Sequence, residues 1–549
     1  MPTFLKKCFK YWNTLRYLKP IQIISRISRF FPNFRVSKVR KNELSPLKNN
    51  WIKSAQRSQR MVGEMTFILL NETHQIDFQD WNSLKVSKLW LYNLHYFDDL
   101  NSTGNMDRYE WHCSLINRWI DENLPFKGNG WEPYPSSLRI VNWIKWALHG
   151  NKMENHWLNS LEVQVRSLAK NIETNLLGNH LIANAKALIF AGLYFEGKEA
   201  KKWYEKGQKI IDREISEQVL PDGGNFELST MYHLVVLEDL LDLINIFRTY
   251  NINPPKPLEK KALSMLSWLK VMCHPDGEIS FFNDSAFNIT PSVKEVIQYA
   301  SRLNFKSLSF EKESKKRLHS LLDSGYARVN LKDLVAIIDR APLGPDYLPA
   351  HAHADTLSFE LSLFGERVIV NSGTSVYGIS NERHRQRGTK SHSTITIDNE
   401  NSSEVWGGFR VARRAKVFEL KDIDQAGKIT LSASHNGYHR LKGMPTHKRK
   451  WEFSDNLLTI NDQIDGKLEH DIEVIFPIHP KVKIIQVNKS EILLDLLGNK
   501  IKFSFDGSGF LKVNKSSYHP EFGVSIENYK ISYCIKEKLP LNITSRVSW

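Results

Sequence analysis

The sequence predicts a chain in two segregated halves, helical first and antiparallel β second. Three observations carry this. From about residue 50 to 315, apolar residues recur at helical spacing between short loops of Gly, Pro and Asn. From about 320 the pattern changes to short alternating runs punctuated by Gly, Asn and Asp, as antiparallel sheet requires. Nowhere do strand and helix patterns alternate in the manner of a doubly wound parallel sheet. A chain of 549 residues also exceeds what one hydrophobic core supports, so two large domains are expected, 50–318 and 319–549, behind an N-terminal segment, 1–49.

The N-terminal segment reads as two short basic amphipathic helices. Phe4, Leu5, Cys8, Phe9, Trp12 and Leu15 form one stripe with Lys6, Lys7 and Lys10 off it, until Pro20 stops the pattern. Ile23, Ile24, Ile27, Phe30 and Phe31 form a second, opposite Arg26 and Arg29. Such faces either lie on an anionic membrane or pack on the body of the protein with their charges in water. In the helical half, Leu181, Ala185, Leu188 and Ile189 mark one helix, and Leu234, Leu237, Leu240, Leu241 and Ile244 another. In the β half, ARVNLKDLVAIIDRA, HSTITIDNE, AKVFELKDI, NLLTINDQIDG and HDIEVIFPIHP read as strands. LFGERVIV reads as a hairpin that turns at Gly365.

Composition narrows the function classes. With 41% hydrophobic and 11% aromatic residues the chain is neither disordered nor collagen-like, and it holds no run of roughly 18 apolar residues to span a bilayer. Cys8, Cys113, Cys273 and Cys534 are too scattered for a thiolate zinc site or a dense disulfide framework. The net charge of +15 suits an acidic polymer, an anionic membrane or nucleic acid. Its distribution separates these. Residues 1–60 hold 8 Lys and 7 Arg against Glu43 alone, which is +14 and leaves the rest of the chain near +1. No nucleic-acid-binding module accompanies the basic segment, so nucleic acid is not expected as a partner. No cleaved export signal is legible, which points to the cytoplasm with membrane contact through residues 1–45; the periplasm is the alternative.

The candidate chemistry lies in three clusters. HAHAD (351–355) places His351 and His353 on one side of an extended segment, where two imidazoles can hold a metal together or divide ligation from proton exchange. GNHL (178–181) places Asn179 and His180 at a helix start. There Asn179 is either an N-cap or part of an anion site at the positive end of the helix. PDGGNFELSTMYHL (221–234) brings a Gly-rich turn, Glu227 and a Ser/Thr cap ahead of Tyr232, which on its own reads equally as a core tyrosine.

Taken in order, LWLYNLHYFDDL (89–100), GWEPYPSSLRIVNWIKW (130–146), GNHLIANAKALIFAGLYF (178–195), PDGGNFELSTMYH, HPDGEISFFNDS (274–285), HAHADTLSFELSLFGERVIVNSGT (351–374) and SHSTITID resemble the heparinase II/III-like polysaccharide lyases. The resemblance covers most of the chain. It implies an incomplete (α/α) toroid followed by an antiparallel β-sandwich domain, with the active site between them. It also implies cleavage of a uronic-acid-containing glycan by β-elimination, in which the C5 proton is removed and the C4 oxygen leaves. The carboxylate must then be neutralised, and an acid and a base supplied.

Carried over by motif, Asn179 binds that carboxylate, His180 assists it or serves as base, Tyr232 moves a proton at the scissile bond, and His351 is the second proton-transfer residue. Arg139, Asn142, Glu227, Tyr377 and Arg383 fall in family-like segments that line the glycan groove, or else make structural hydrogen bonds. His353 matches a family metal ligand, which implies one structural zinc with Asn371 and His392 as its other ligands. Asn371 stands where the family has Asp, a neutral and weaker donor. Two other functions share these features: a uronyl C5-epimerase, which returns the proton instead of expelling the leaving group, and a non-catalytic glycan-binding or surface-polysaccharide assembly protein. An acidic polysaccharide is the expected partner.

Overall fold

The computed structural model of the protein describes residues 3–28, 37, 42–77, 80–305, 316–425 and 427–549. After α1 (Thr3–Leu15) and α2 (Pro20–Ser28), the helical half runs through α3 (Lys88–Tyr96), α4 (Tyr109–Glu122), α5 (Pro133–Leu148), α6 (Asn155–Lys170), α7 (Gly178–Tyr194), α8 (Lys198–Gln218), α9 (Thr230–Thr249), α10 (Lys256–Val271) and α11 (Val293–Arg302). α3 packs on α5, α5 on α7, α7 on α9 and α9 on α11, while α4 and α6 pair, α8 lies on α7, and α10 on α9. Alternate helices therefore form an inner and an outer layer, an incomplete (α/α) toroid. Inner α7 is buried on nearly every side, and only His180 and Gly192 escape full burial. Outer α8 turns Trp203, Ile211 and Ile215 inward and leaves most of its lysines in water.

The helical half also contains a feature its periodicity does not suggest. Met61–Gly63, Thr66–Leu69 and Glu72–Gln75 form a three-stranded antiparallel meander. Phe67 and Leu69 are buried and Ile68 exposed, a period of two, and Leu70 and Asn71 turn the chain with φ of 54° and 62°. At the N-terminus Pro20 opens α2, where its missing N–H costs nothing. Arg29, Phe30 and Phe31 of the second stripe lie outside the described residues.

The β half is a sandwich. One sheet has the order Phe510–Tyr518, Ile526–Lys538, Glu469–Ile478, Glu366–Ile369, Phe359–Leu363, Leu334–Asp339, Tyr326–Asn330, Leu318–Leu321, with Ile395–Ile397 also paired to Glu469–Ile478. The other runs Val417–Gln425, Lys428–His435, Thr446–Ser454, Leu457–Asp465, Leu541–Ser548, Asn499–Asp506, Glu491–Leu496, Lys483–Val487. Both are antiparallel, and one apolar core joins them, with Val329, Leu361 and Val474 from the first and Leu431, Trp451 and Phe503 from the second. The expected hairpin turns at Phe364 and Gly365, with φ of 54° and 83°.

α1 and α2 rest on this body by their polar side. Asn13, Gln22 and Ser25 are buried, whereas Leu5, Phe9, Trp12, Leu15, Ile23, Ile24 and Ile27 are exposed. Of the two arrangements open to these helices, packing of the apolar face on the body is not the one adopted.

Candidate active site

Where toroid and sandwich meet, the loop between α10 and α11 delivers Asp284, which is fully buried. Its carboxylate accepts from His351 Nδ1 at 2.9 Å, from His353 Nε2 at 2.8 Å and from both Nη groups of Arg383, Nη2 at 2.7 Å. Its backbone N–H donates to the carbonyl of His351 at 3.0 Å. Burial alone would raise its pKa, but Arg383 and the two imidazoles outweigh that and hold the carboxyl well below the usual range. Arg383 comes from α12 (Asn381–Arg387), and its guanidinium lies 4.9 Å from the centre of the Tyr377 ring.

Asp284 takes Nδ1 of His351 and thereby leaves Nε2 turned toward Glu227, 3.8 Å from Oε2. The imidazole stacks on Tyr232 with ring centres 3.8 Å apart and planes at 29°. Tyr232 sits in the first turn of α9, where Ser229 caps the helix by accepting the Tyr232 N–H, and the Ser229 hydroxyl donates to the carbonyl of Asp284 at 2.5 Å. The hydroxyls of Tyr232 and Tyr377 are 3.0 Å apart. Burial, and next the neighbouring Tyr377, push Tyr232 well above the ordinary phenol range, so it is a protonated phenol at neutral pH.

The start of α7 faces this pair. Leu177 is the N-cap, with φ of 67°, so Asn179 is not a cap; its Nδ2 donates to the Tyr134 hydroxyl at 3.3 Å. His180 Nδ1 lies 3.1 Å from Glu173 Oε2, and its ring packs on Tyr134 at 4.3 Å. Glu227 occupies the space between. Burial raises its pKa, while His351, His180 and the backbone N–H of Asn179 pull it down. Gly178 makes this approach feasible: at its φ of 59° a Cβ would sit 3.0 Å from Glu227 Oε1 and 2.6 Å from Leu348 Cδ2. Gly178→Ala should therefore cost about 1–3 kcal/mol of stability and at least tenfold in turnover, measured by thermal unfolding and initial rates.

Comparison with known proteins agrees with this fold. Residues 27–307 match the family model described as heparinase II/III N-terminus, and residues 313–546 the one described as heparinase II/III-like, C-terminal. The chain belongs to the heparinase II/III-like family. Similar proteins named heparin-sulfate lyase occur in Bacteroides stercoris (27% identity over 329 residues, 56% of this chain and 46% of the relative) and Bacteroides thetaiotaomicron (22% over 445 residues, 72% and 60%). The matched regions thus span less than two thirds of those relatives. Solved structures share the fold. A heparinase III gives a TM-score of 0.71 at 17% identity, over 86% of this chain and 80% of that one. A mutant heparan sulfate lyase from Pedobacter heparinus gives 0.62 at 18%, over 88% and 81%.

Within this heparinase II/III-like protein Asn142, Tyr134, Tyr232 and Tyr377 line one cleft, and Asn142 is held by donating to Tyr96 O at 2.8 Å and Asp98 Oδ1 at 2.9 Å. Arg139, expected in the groove, is not there. Tyr134, Leu138, Val141, Asn142 and Lys145 form the cleft-lining face of α5, and Arg139 falls about a third of a turn away from it. It is fully buried over Trp119, at 3.8 Å, and donates to Gln164 Oε1, His95 O and Gly130 O. Arg139→Ala should lower Tm by several degrees and leave KM unchanged.

The zinc set implied by the resemblance does not fit this arrangement. His353 Nδ1 and His392 Nε2 are 3.3 Å apart, but Asn371 Oδ1 lies on His392 Nδ1, at 3.0 Å, on the far side of that ring. The three donors do not converge, and His353 Nε2 is already given to Asp284. Among the described residues no group of three or more His, Cys, Asp or Glu is placed to hold a metal ion. Incubation with a chelator should leave both Tm and any catalytic rate unchanged.

Residues not singled out from sequence complete the site. Arg387 donates to Ala352 O at 3.0 and 2.9 Å and to Gly408 O at 3.1 Å, which fixes the loop carrying His351. On the cleft floor Lys145 and Lys186 each meet Asp242 Oδ2 at 2.5 Å, Lys186 meets Asp239 at 2.8 Å, and Arg57 meets Glu238 at 2.7 Å. Asp284 belonged to a quoted motif, but no periodicity marks a lone loop aspartate whose partners are about 70 to 100 residues away.

Proposed function

We propose that this protein is a polysaccharide lyase that cleaves a uronic-acid-containing glycan by β-elimination. The observation that carries the reading is the stacking of His351 on a protonated Tyr232, opposite the Asn179 and His180 end of α7. Asn179 and His180, at the positive end of that helix, take the uronate carboxylate. His351 Nε2 removes the C5 proton; the C–H electron pair forms the C4–C5 double bond, the C4–O bond breaks, and Tyr232 donates its proton to the departing oxygen. Arg57, Lys145 and Lys186 line the cleft but are already paired with acids, so the geometry favours a glycan whose charge is mainly its carboxylates over a densely sulfated one.

The names of the relatives support the reaction class. The test is incubation with a panel of uronate glycans in deuterated water. Ultraviolet-absorbing unsaturated ends support the proposal; deuterium at C5 without chain cleavage would identify an epimerase; oligosaccharide binding without either product would identify a binding protein.

A further inference from the structure

We infer that α1 and α2 dock this protein on an anionic membrane surface. The grounds are the orientation of the two helices, what holds it, and their charge. Trp12 is 66% exposed, Ile24 61% and Ile27 57%, and with Leu5 and Ile23 they present an apolar surface, while the neighbouring Phe9 carries the Arg413 guanidinium 5.3 Å from its ring centre. An amphipathic helix on a soluble body normally faces the other way.

The polar side is anchored. The Trp406 indole donates to the Thr14 hydroxyl at 3.1 Å, Gln22 Nε2 donates to the Tyr347 carbonyl at 3.4 Å, and Ser25 and Thr174 share a hydrogen bond of 2.9 Å. Lys19 pairs with Glu217, and Tyr11 packs edge-on against Trp406 at 4.8 Å. These contacts span both domains and hold the apolar stripe outward.

The charge selects the occupant. Lys7, Arg16 and Arg26 flank the stripe and are exposed, and residues 1–28 hold six Lys and Arg and no acid. A second copy would bring the same charge against itself, whereas a bilayer with anionic headgroups offers both the apolar depth and the opposite sign. The docked face also adjoins the cleft. Tyr11, Thr14 and Leu15 line a cavity with Tyr347, Leu348 and Phe409, and the Phe409 ring lies 6.3 Å from that of His351. A bilayer on α1 therefore lies about one helix diameter, ~10 Å, from this cavity.

The test is sedimentation of the full chain with vesicles of phosphatidylcholine containing phosphatidylglycerol, against phosphatidylcholine alone. The wild type should bind the anionic vesicles at least about tenfold more tightly, with affinity falling as salt rises. Trp12→Glu combined with Ile24→Glu should lose about tenfold or more while Tm and catalytic rate stay unchanged, since both side chains face water. Equal binding to both vesicle types, binding unaltered in the double variant, or a dimer in light scattering that the variant splits and that has no vesicle affinity, would each overturn the inference.

Discussion

Tyr232→Phe should reduce formation of unsaturated ends by about a hundred- to ten-thousandfold, with KM nearly unchanged. The substitution removes one oxygen and leaves the ring stacked on His351, so folding is unaffected and the loss is chemical. A companion variant makes the assignment specific. Tyr377→Phe removes only the hydroxyl 3.0 Å from that of Tyr232, so it should cost no more than about tenfold, the loss of one hydrogen bond to the acid. Rates from the two variants that fall together, or a Tyr232→Phe enzyme that retains its turnover, would move the proton donor elsewhere.

Asp284→Asn should be the most damaging single change to the fold near the site, about 3–5 kcal/mol. The amide keeps the shape but removes the charge that neutralises Arg383, a guanidinium buried to the same degree. It also releases His351 Nδ1, so catalysis should fall with stability. The pH dependence distinguishes charge from shape. The folded pKa of Asp284 lies below its unfolded value of about 3.9, so its charge contributes fully above that pH, and the contribution is lost as pH falls toward the depressed value. Wild-type stability should therefore drop steeply below about pH 4, and Asp284→Asn should start lower and flatten that slope. Thermal unfolding across pH 2.5–7 measures both.

Much of the fold was legible because burial imposes periods. The stripes at 181–189 and 234–244 lie on inner helices α7 and α9, and the 364–365 turn sits where the hairpin pattern put it. The meander at 61–75 escaped because its strands are three or four residues long, too short to establish a period inside a helical context. At the site, local motifs placed Asn179, His180, Tyr232 and His351, which the fold brings around Glu227. Arg139 shares a motif with Asn142, but motif membership does not say which side of α5 a residue takes. Asp284 acts through partners in the other domain, a pairing that exists only once the two domains have met, and Arg387 acts through carbonyls 21 and 35 residues away that only the folded β half brings to it. The N-terminal stripes were readable as amphipathic, yet amphipathicity states that two faces differ and leaves open which one meets the protein.

The paired charges on the cleft floor bear on how this protein responds to ionic strength. Arg57, Lys145 and Lys186 are sheltered and each faces an acid, so dissolved ions have no unpaired charge there to screen. Lys7 of α1 and Arg26 of α2 are in water and are open to screening by dissolved ions. Salt should therefore weaken the proposed vesicle binding and barely change turnover, two readouts that one titration with salt separates.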